Sequence, residues 1–190
     1  MQIVYIYLIP ALWSVWGLYW LIAAADVKSV TRSESAASRA AHLLPLAVAA
    51  MLLASRWLPL PFLYAHFVEP SVFTFFLGAG IVGAGLAIAI WARATLGSNW
   101  SGIVTLKQDH ELIRNGPYRW VRHPIYTGLL LGFLGTAIAV AQWRGVIAFL
   151  IVLVALWRKL RHEERWLGEM FGAEYAQYRR EVAALIPFVL

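Results

Sequence analysis

Two clusters of polar and titratable side chains interrupt an otherwise apolar chain. The first, Gly116-Pro117-Tyr118-Arg119-Trp120-Val121-Arg122-His123-Pro124-Ile125-Tyr126-Thr127-Gly128, sets hydrogen-bond donors, aromatic rings and an imidazole at the mouth of an apolar run. Ionisable groups in such a place are costly unless they are used. Pro124 suits the first turn of a helix, whose free N–H groups and positive dipole end attract an anionic group. His123, just before it, can donate or accept a proton near neutral pH. A structural alternative makes Arg119, Arg122 and His123 head-group anchors, with Tyr118, Trp120 and Tyr126 as an aromatic belt. The second cluster is Arg158-Lys159-Leu160-Arg161-His162-Glu163-Glu164-Arg165. Glu163 follows Lys159 by four residues, so the two share one helix face; as solvated surface pairs they would contribute little. The clusters sit on consecutive apolar runs joined by a tight turn at Trp143, Arg144 and Gly145, and an antiparallel hairpin brings them side by side.

The elements that must position these residues follow from composition. The 190 residues are 61% hydrophobic and 14% charged, with a mean hydropathy of +0.67, which places the chain among membrane proteins. Without cysteine there is no disulfide framework, thiolate nucleophile or cysteine-based metal site, and no metal is expected. Hydropathy and turn signals predict spans over about 3–25, 42–60, 71–95, 124–142 and 146–160, with Pro10 kinking the first and Pro59, Pro61 and Pro70 punctuating a turn. The polar segment 96–123 separates the third span from the fourth. The tail 162–180 alternates charges with Trp166, Leu167, Met170, Phe171, Tyr175 and Tyr178 at helical spacing, as an interfacial amphipathic helix does. The expected fold is therefore an all-α integral membrane protein, a single domain over 1–190.

Charge sets the orientation. With the N-terminus outside and the C-terminus cytoplasmic, five spans leave fourteen of the sixteen Lys and Arg residues inside and only Arg56 and Arg144 outside, a strong positive-inside bias. The formal charge of +6 then faces anionic lipid head groups, and nucleic-acid binding is not expected. Short loops and the lack of a targeting signal point to a bacterial inner membrane.

Two motif matches dissolve in this context. Gly78, Gly80 and Gly83 spell a dinucleotide-binding pattern, but with Gly85 they lie within an apolar span, where small residues let helices approach closely; a homodimer through this span stays open. Asn99-Trp100-Ser101 fits a glycosylation sequon on the cytoplasmic side, where it has no meaning.

At residues 95–190 the sequence resembles the isoprenylcysteine carboxyl methyltransferases and the related membrane phospholipid methyltransferases. The resemblance is carried by Gly97-Ser98-Asn99-Trp100, Gly116-Pro117-Tyr118, Arg122-His123-Pro124-Ile125-Tyr126-Thr127-Gly128, Glu163-Glu164, Phe171-Gly172, Tyr175, Tyr178 and Pro187, in matching order and spacing. It implies an S-adenosylmethionine-dependent membrane methyltransferase that releases S-adenosylhomocysteine. Residues 1–95 would then supply the first three helices and 96–190 the cofactor-binding and catalytic half. Carried over by position, cofactor contacts fall on Thr105, His110, Glu111, Leu112, Ile113, Tyr118, His123, Pro124, Ile125, Tyr126 and Glu163. Lys159 stands where eukaryotic members carry an arginine beside the acceptor, and Thr105 where they carry a glutamine.

Methyl transfer from a sulfonium requires alignment, exclusion of water and tuned charge, with no nucleophilic side chain. Glu163 could pair with a cationic part of the cofactor, and His123 with the helix start at Pro124 could hold its carboxylate or ribose. Arg158, Lys159 or Arg161 could orient an anionic acceptor, such as an isoprenylcysteine-like carboxylate, a lipid head group or a thiolate. An amine or thiol acceptor needs a base, for which Glu164 and His162 are candidates. An apolar acceptor tail could enter sideways from the bilayer. The rival functions are an NADPH-dependent membrane reductase, for which the loops leave little room, and a non-enzymatic membrane binding protein.

Overall fold

The computed structural model describes residues 2–24, 30–33, 35–55, 58–97, 100, 105–107 and 112–189. Among these, the chain forms α1 (Gln2–Ala23), α2 (Ala36–Ala54), α3 (Val72–Leu96), α4 (Pro124–Val140) and α5 (Trp143–Glu181). One small sheet joins them: β1 (Val30–Ser33) pairs antiparallel with β2 (Thr105–Lys107), a departure from a purely helical expectation.

α1, α2 and α3 are long and apolar enough to cross a bilayer, while α4 is a shorter apolar helix. α1 is apolar all round and buries only Ile9, as a helix with lipid on most sides does. Large apolar side chains such as Ile3, Phe73 and Val154 face outward. The chain is an integral, multi-pass membrane protein.

Starts and stops follow local chemistry. Ser35 caps α2 by accepting from the Ser38 amide, so this helix begins six residues before the apolar run at His42 and ends at Ala54, short of the expected Leu60. Ser71 and Thr74 form a reciprocal capping box at the start of α3, satisfying two of the amides a helix start leaves open. Both α1 and α2 contain an internal proline, Pro10 and Pro45.

The most extensive interface joins α3 to α4. A methyl carbon built at Gly78 would stand 2.5 Å from the Gly135 carbonyl oxygen, and one at Gly85 2.5 Å from that of Gly128. Backbones meet directly there, as small residues permit. Gly80 and Gly83 face open space, so the close approach uses two of the four glycines and is made within the chain.

At the far end of the bundle, Arg144 donates to the carbonyls of Leu53, at 3.2 Å, and of Ser55, and its guanidinium lies 5.2 Å from the Tyr64 ring. At the near end, buried Arg93 donates to Gly97 O at 2.7 Å and to Ala23 O, tying the ends of α3 and α1. Its guanidinium sits 4.4 Å from the Trp100 ring.

One boundary differs in kind. The fifth apolar run continues into the amphipathic tail without interruption as far as Phe171, so that α5 is two helical segments meeting at Gly172 and not a span followed by a separate interfacial helix from residue 162. Nothing between Val146 and Trp166 breaks a helix: the residues are strong formers such as Leu, Ala, Arg, Lys and Glu, and a change from apolar to charged does not interrupt hydrogen bonding. The break comes at Gly172, with φ 50° and ψ −120°, a left-handed φ that glycine adopts without a Cβ penalty. The expected turn residues Trp143, Arg144 and Gly145 are the first turn of α5. The reversal is made by Ala141, at φ 56°, and Gln142.

Candidate functional site

The site is assembled at the start of α4. A 3-10 turn over Gly116–Arg119 precedes it, with Gly116 at φ 57° against Thr95. This turn buries Tyr118, whose hydroxyl donates to Ala92 O at 3.4 Å and whose carbonyl accepts from the Tyr178 hydroxyl at 2.5 Å. The chain beyond α5 returns as a strap. Ala183 O and Ala184 O accept from the amides of Arg122 and His123 at 2.8 and 3.0 Å, and Leu185 O accepts from Thr127 Oγ1 at 2.7 Å. Pro124 then occupies the first helical position and is fully buried.

Across from this helix start, α5 presents two consecutive carboxylates with different partners. Glu164 is buried and accepts from Arg122 Nε and Nη2 at 2.8 and 2.6 Å; Arg122 also donates to the carbonyls of Arg179, at 3.3 Å, and Val182. His123 Nε2 and Arg179 Nε lie 3.4 and 3.7 Å from Glu164 oxygens. Burial by itself raises this carboxyl's pKa, but the His123 and Arg122 contacts and charges outweigh it and hold the group at about 2. Glu164 is therefore a carboxylate at any physiological pH and a weak proton acceptor.

Glu163, half-buried, accepts from the Tyr126 hydroxyl at 2.6 Å. Its carboxylate lies 3.7 Å from His123 Nδ1 and 3.9 Å from Lys159 Nζ. The His123 and Tyr126 rings are parallel, with centroids 5.4 Å apart, and Lys159 Nζ is 5.7 Å from the Tyr126 ring centre. His123 is 8% exposed, and its Nε2 faces Glu164 at 3.4 Å without a well-aligned hydrogen bond. A buried ring nitrogen left this way is costly, and an added polar group would satisfy it. Burial pushes the Tyr178 hydroxyl up to about 12 against the nearby Arg122 and Arg114, which keeps it a donor to Tyr118.

A family model described as phospholipid methyltransferase matches residues 73–174, more than half of the chain. The chain belongs to the phospholipid methyltransferase family. Among curated members it is 35% identical over 116 residues to a protein-S-isoprenylcysteine O-methyltransferase of Saccharomyces cerevisiae, covering 60% of this chain and 48% of that protein. It is 32% identical over 120 residues to a probable protein-S-isoprenylcysteine O-methyltransferase of Oryza sativa subsp. indica, covering 62% and 63%. The Rattus norvegicus enzyme of the same name is 29% identical over 156 residues, covering 78% and 53%. The chain thus spans between about half and just under two thirds of these relatives' length. A solved structure titled as the eukaryotic intramembrane Ras methyltransferase (isoprenylcysteine carboxyl methyltransferase) superposes with a TM-score of 0.54 at 24% identity, over 90% of this chain and 52% of that one. The fold is shared.

Within this family member, the structure brings together His123, Pro124, Tyr126, Lys159, Glu163 and Glu164. Tyr118, Ile125 and Leu160 are buried in the adjoining core, and half-buried Ile113 packs on it. Leu112 is half-buried. Thr105 lies in β2, opposite Ser33, and His110 and Glu111 lie outside the described residues. Arg158 and Arg161 are exposed and do not join the cluster; Arg158 Nη1 reaches Ser38 O at 3.4 Å. Sequence reasoning gave Arg122 no role beyond an anchor, although it holds Glu164 and the strap together. Its place directly before His123 was the available signal.

Proposed function

We propose that the chain is an S-adenosylmethionine-dependent integral membrane methyltransferase that methylates a membrane-partitioning acceptor. The observation that carries this reading is the juxtaposition of His123 and Glu163 at the buried start of α4 in a member of this family. The donor set suits the cofactor. Glu163 offers a carboxylate to a cationic group, His123 offers a buried imidazole beside both carboxylates, and the start of α4 offers its dipole to a carboxylate. When bound, S-adenosylmethionine supplies a methyl group made electrophilic by its sulfonium.

The chain's own residues then position and exclude water. Tyr126 orients the Glu163 carboxylate through its 2.6 Å hydrogen bond. Lys159, buried and beside Glu163, is the cation placed to steer an anionic acceptor. Glu164, paired with Arg122 and facing His123, fixes their positions and is not the base. The names of the relatives support an isoprenylcysteine-like carboxylate as acceptor, with a lipid head group or thiol as the other options. The charge asymmetry supports five spans with the N-terminus outside, and short connections support a bacterial inner membrane.

The purified full chain in detergent, titrated with S-adenosylhomocysteine and with NADPH, tests this. Binding of the first alone is expected; binding of NADPH alone, or of neither, overturns it. Glu163→Gln and His123→Ala are each expected to weaken S-adenosylhomocysteine by roughly tenfold or more, the scale of a lost charge-assisted contact. Unchanged affinity in both would move the site elsewhere. Transfer of labelled methyl to prenylcysteine analogues, membrane lipids and thiols then identifies the acceptor.

A further inference from the structure

A concavity opens beside α5. It has a volume of about 440 Å³ between the helix and the C-terminal strap, and its lining combines Arg161, Arg179 and Arg180 with Trp157, Phe188 and Val189, next to Arg122 and Glu164. Residues 157, 160, 161 and 164 form one helical face, while Lys159 and Glu163 form another about 130° away at 3.6 residues per turn. The cleft borders the proposed reaction site through Arg122 and Glu164, which line it, while Lys159 and Glu163 do not.

Its charge is unbalanced. Glu164 is engaged by Arg122 and His123, and Glu181 by Arg114. Arg179 Nε lies 3.7 Å from Glu164 Oε2, and its side chain is 55% exposed. Arg161 and Arg180 are exposed, with no ion pair among the described residues. The apolar part of the lining is equally unsatisfied, with Phe188 99%, Val189 67% and Trp157 39% exposed. Trp157 ends the apolar run of α5 and Arg158 follows it, so the cleft stands where a span leaves the hydrocarbon and meets the head groups.

We propose that this cleft docks an anionic phospholipid, its phosphate against Arg161, Arg179 and Arg180 and its acyl chains along Trp157, Phe188 and Val189. Two physical demands meet here. Cations without partners at the head-group level attract anionic lipid, and apolar side chains exposed beside them require a ligand with a hydrocarbon part. A free phosphate would meet only the first demand. The site does not depend on the methyl-transfer reading.

The test is native mass spectrometry of the full chain purified with an equimolar mixture of phosphatidylglycerol and phosphatidylcholine. Preferential retention of phosphatidylglycerol is expected, falling about tenfold in Arg161→Ala/Arg180→Ala, as two interfacial arginines allow. The charge-matched Arg119→Ala/Arg165→Ala, outside the cleft, should keep the preference. Trp157→Ala should reduce retention of phosphatidylglycerol with no change in charge. Helical circular dichroism and melting temperature check that each variant is folded. Equal loss in both arginine pairs, equal retention of the two lipids, or displacement of phosphatidylglycerol by inorganic phosphate would overturn the proposal.

Discussion

Glu163 and Glu164 are adjacent in sequence and opposite in circumstance. Glu163 keeps part of its carboxylate accessible beside His123, Tyr126 and Lys159, while Glu164 is consumed by Arg122. The buried pair has a pH signature. Glu164 falls from its ordinary 4.5 to about 2 in the folded protein, so the unfolded chain binds the extra proton first. The resulting stability, of the order of 3 kcal/mol, is fully present above about pH 4.5 and is lost as pH falls toward 2. Thermal unfolding in detergent should show the wild type losing stability between pH 5 and 3. Glu164→Gln should be less stable at pH 7, because Arg122 loses its counter-charge, and flatter with acid. An equally steep acid response in the variant would assign the proton elsewhere. The importance of the Glu-Glu pair was visible in its sequence, but the division of labour was not, because it depends on which arginine folds over which carboxylate.

At the scale of elements, α3 and α4 hold the site by backbone contact. Gly85→Ala should destabilise by about 1–3 kcal/mol, the usual range for overpacking, because the methyl meets the Gly128 carbonyl. Gly80→Ala, with open space around it, should leave the melting temperature unchanged. Similar losses at both positions would place a partner helix on the Gly80 face. The small-residue pattern was legible as a packing surface; which glycines it used was decided by the helix opposite. The strap is a second supporting element. Removing residues 183–190 deletes the acceptors for the Arg122 and His123 amides. Hydrogen exchange at 122–123 should accelerate, and S-adenosylhomocysteine binding should weaken. Undisturbed exchange would make the strap dispensable. No sequence signal announced this pairing, since an extended tail makes contacts set by its neighbours and not by its own periodicity.

For the whole molecule, the testable quantity is orientation. The absence of cysteine makes single introduced thiols clean reporters. Glu69→Cys, exposed between α2 and α3, and Arg165→Cys, exposed on α5, should react with a membrane-impermeant maleimide from opposite sides of sealed vesicles. Under the N-out arrangement, Glu69→Cys labels from outside and Arg165→Cys only after the membrane is opened. Labelling of both from one side would remove a span. Hydropathy, a local and additive property, determined from sequence alone that this is a helical membrane protein and roughly where its apolar helices lie. Only the tertiary structure decided that α5 runs unbroken past the apolar run, that Arg122 binds Glu164 across 42 residues, that Tyr126 binds Glu163 across 37, and that a cationic cleft forms behind them. Such contacts join side chains whose separation along the chain carries no periodic signal, and the packing of helices against one another sets their distances.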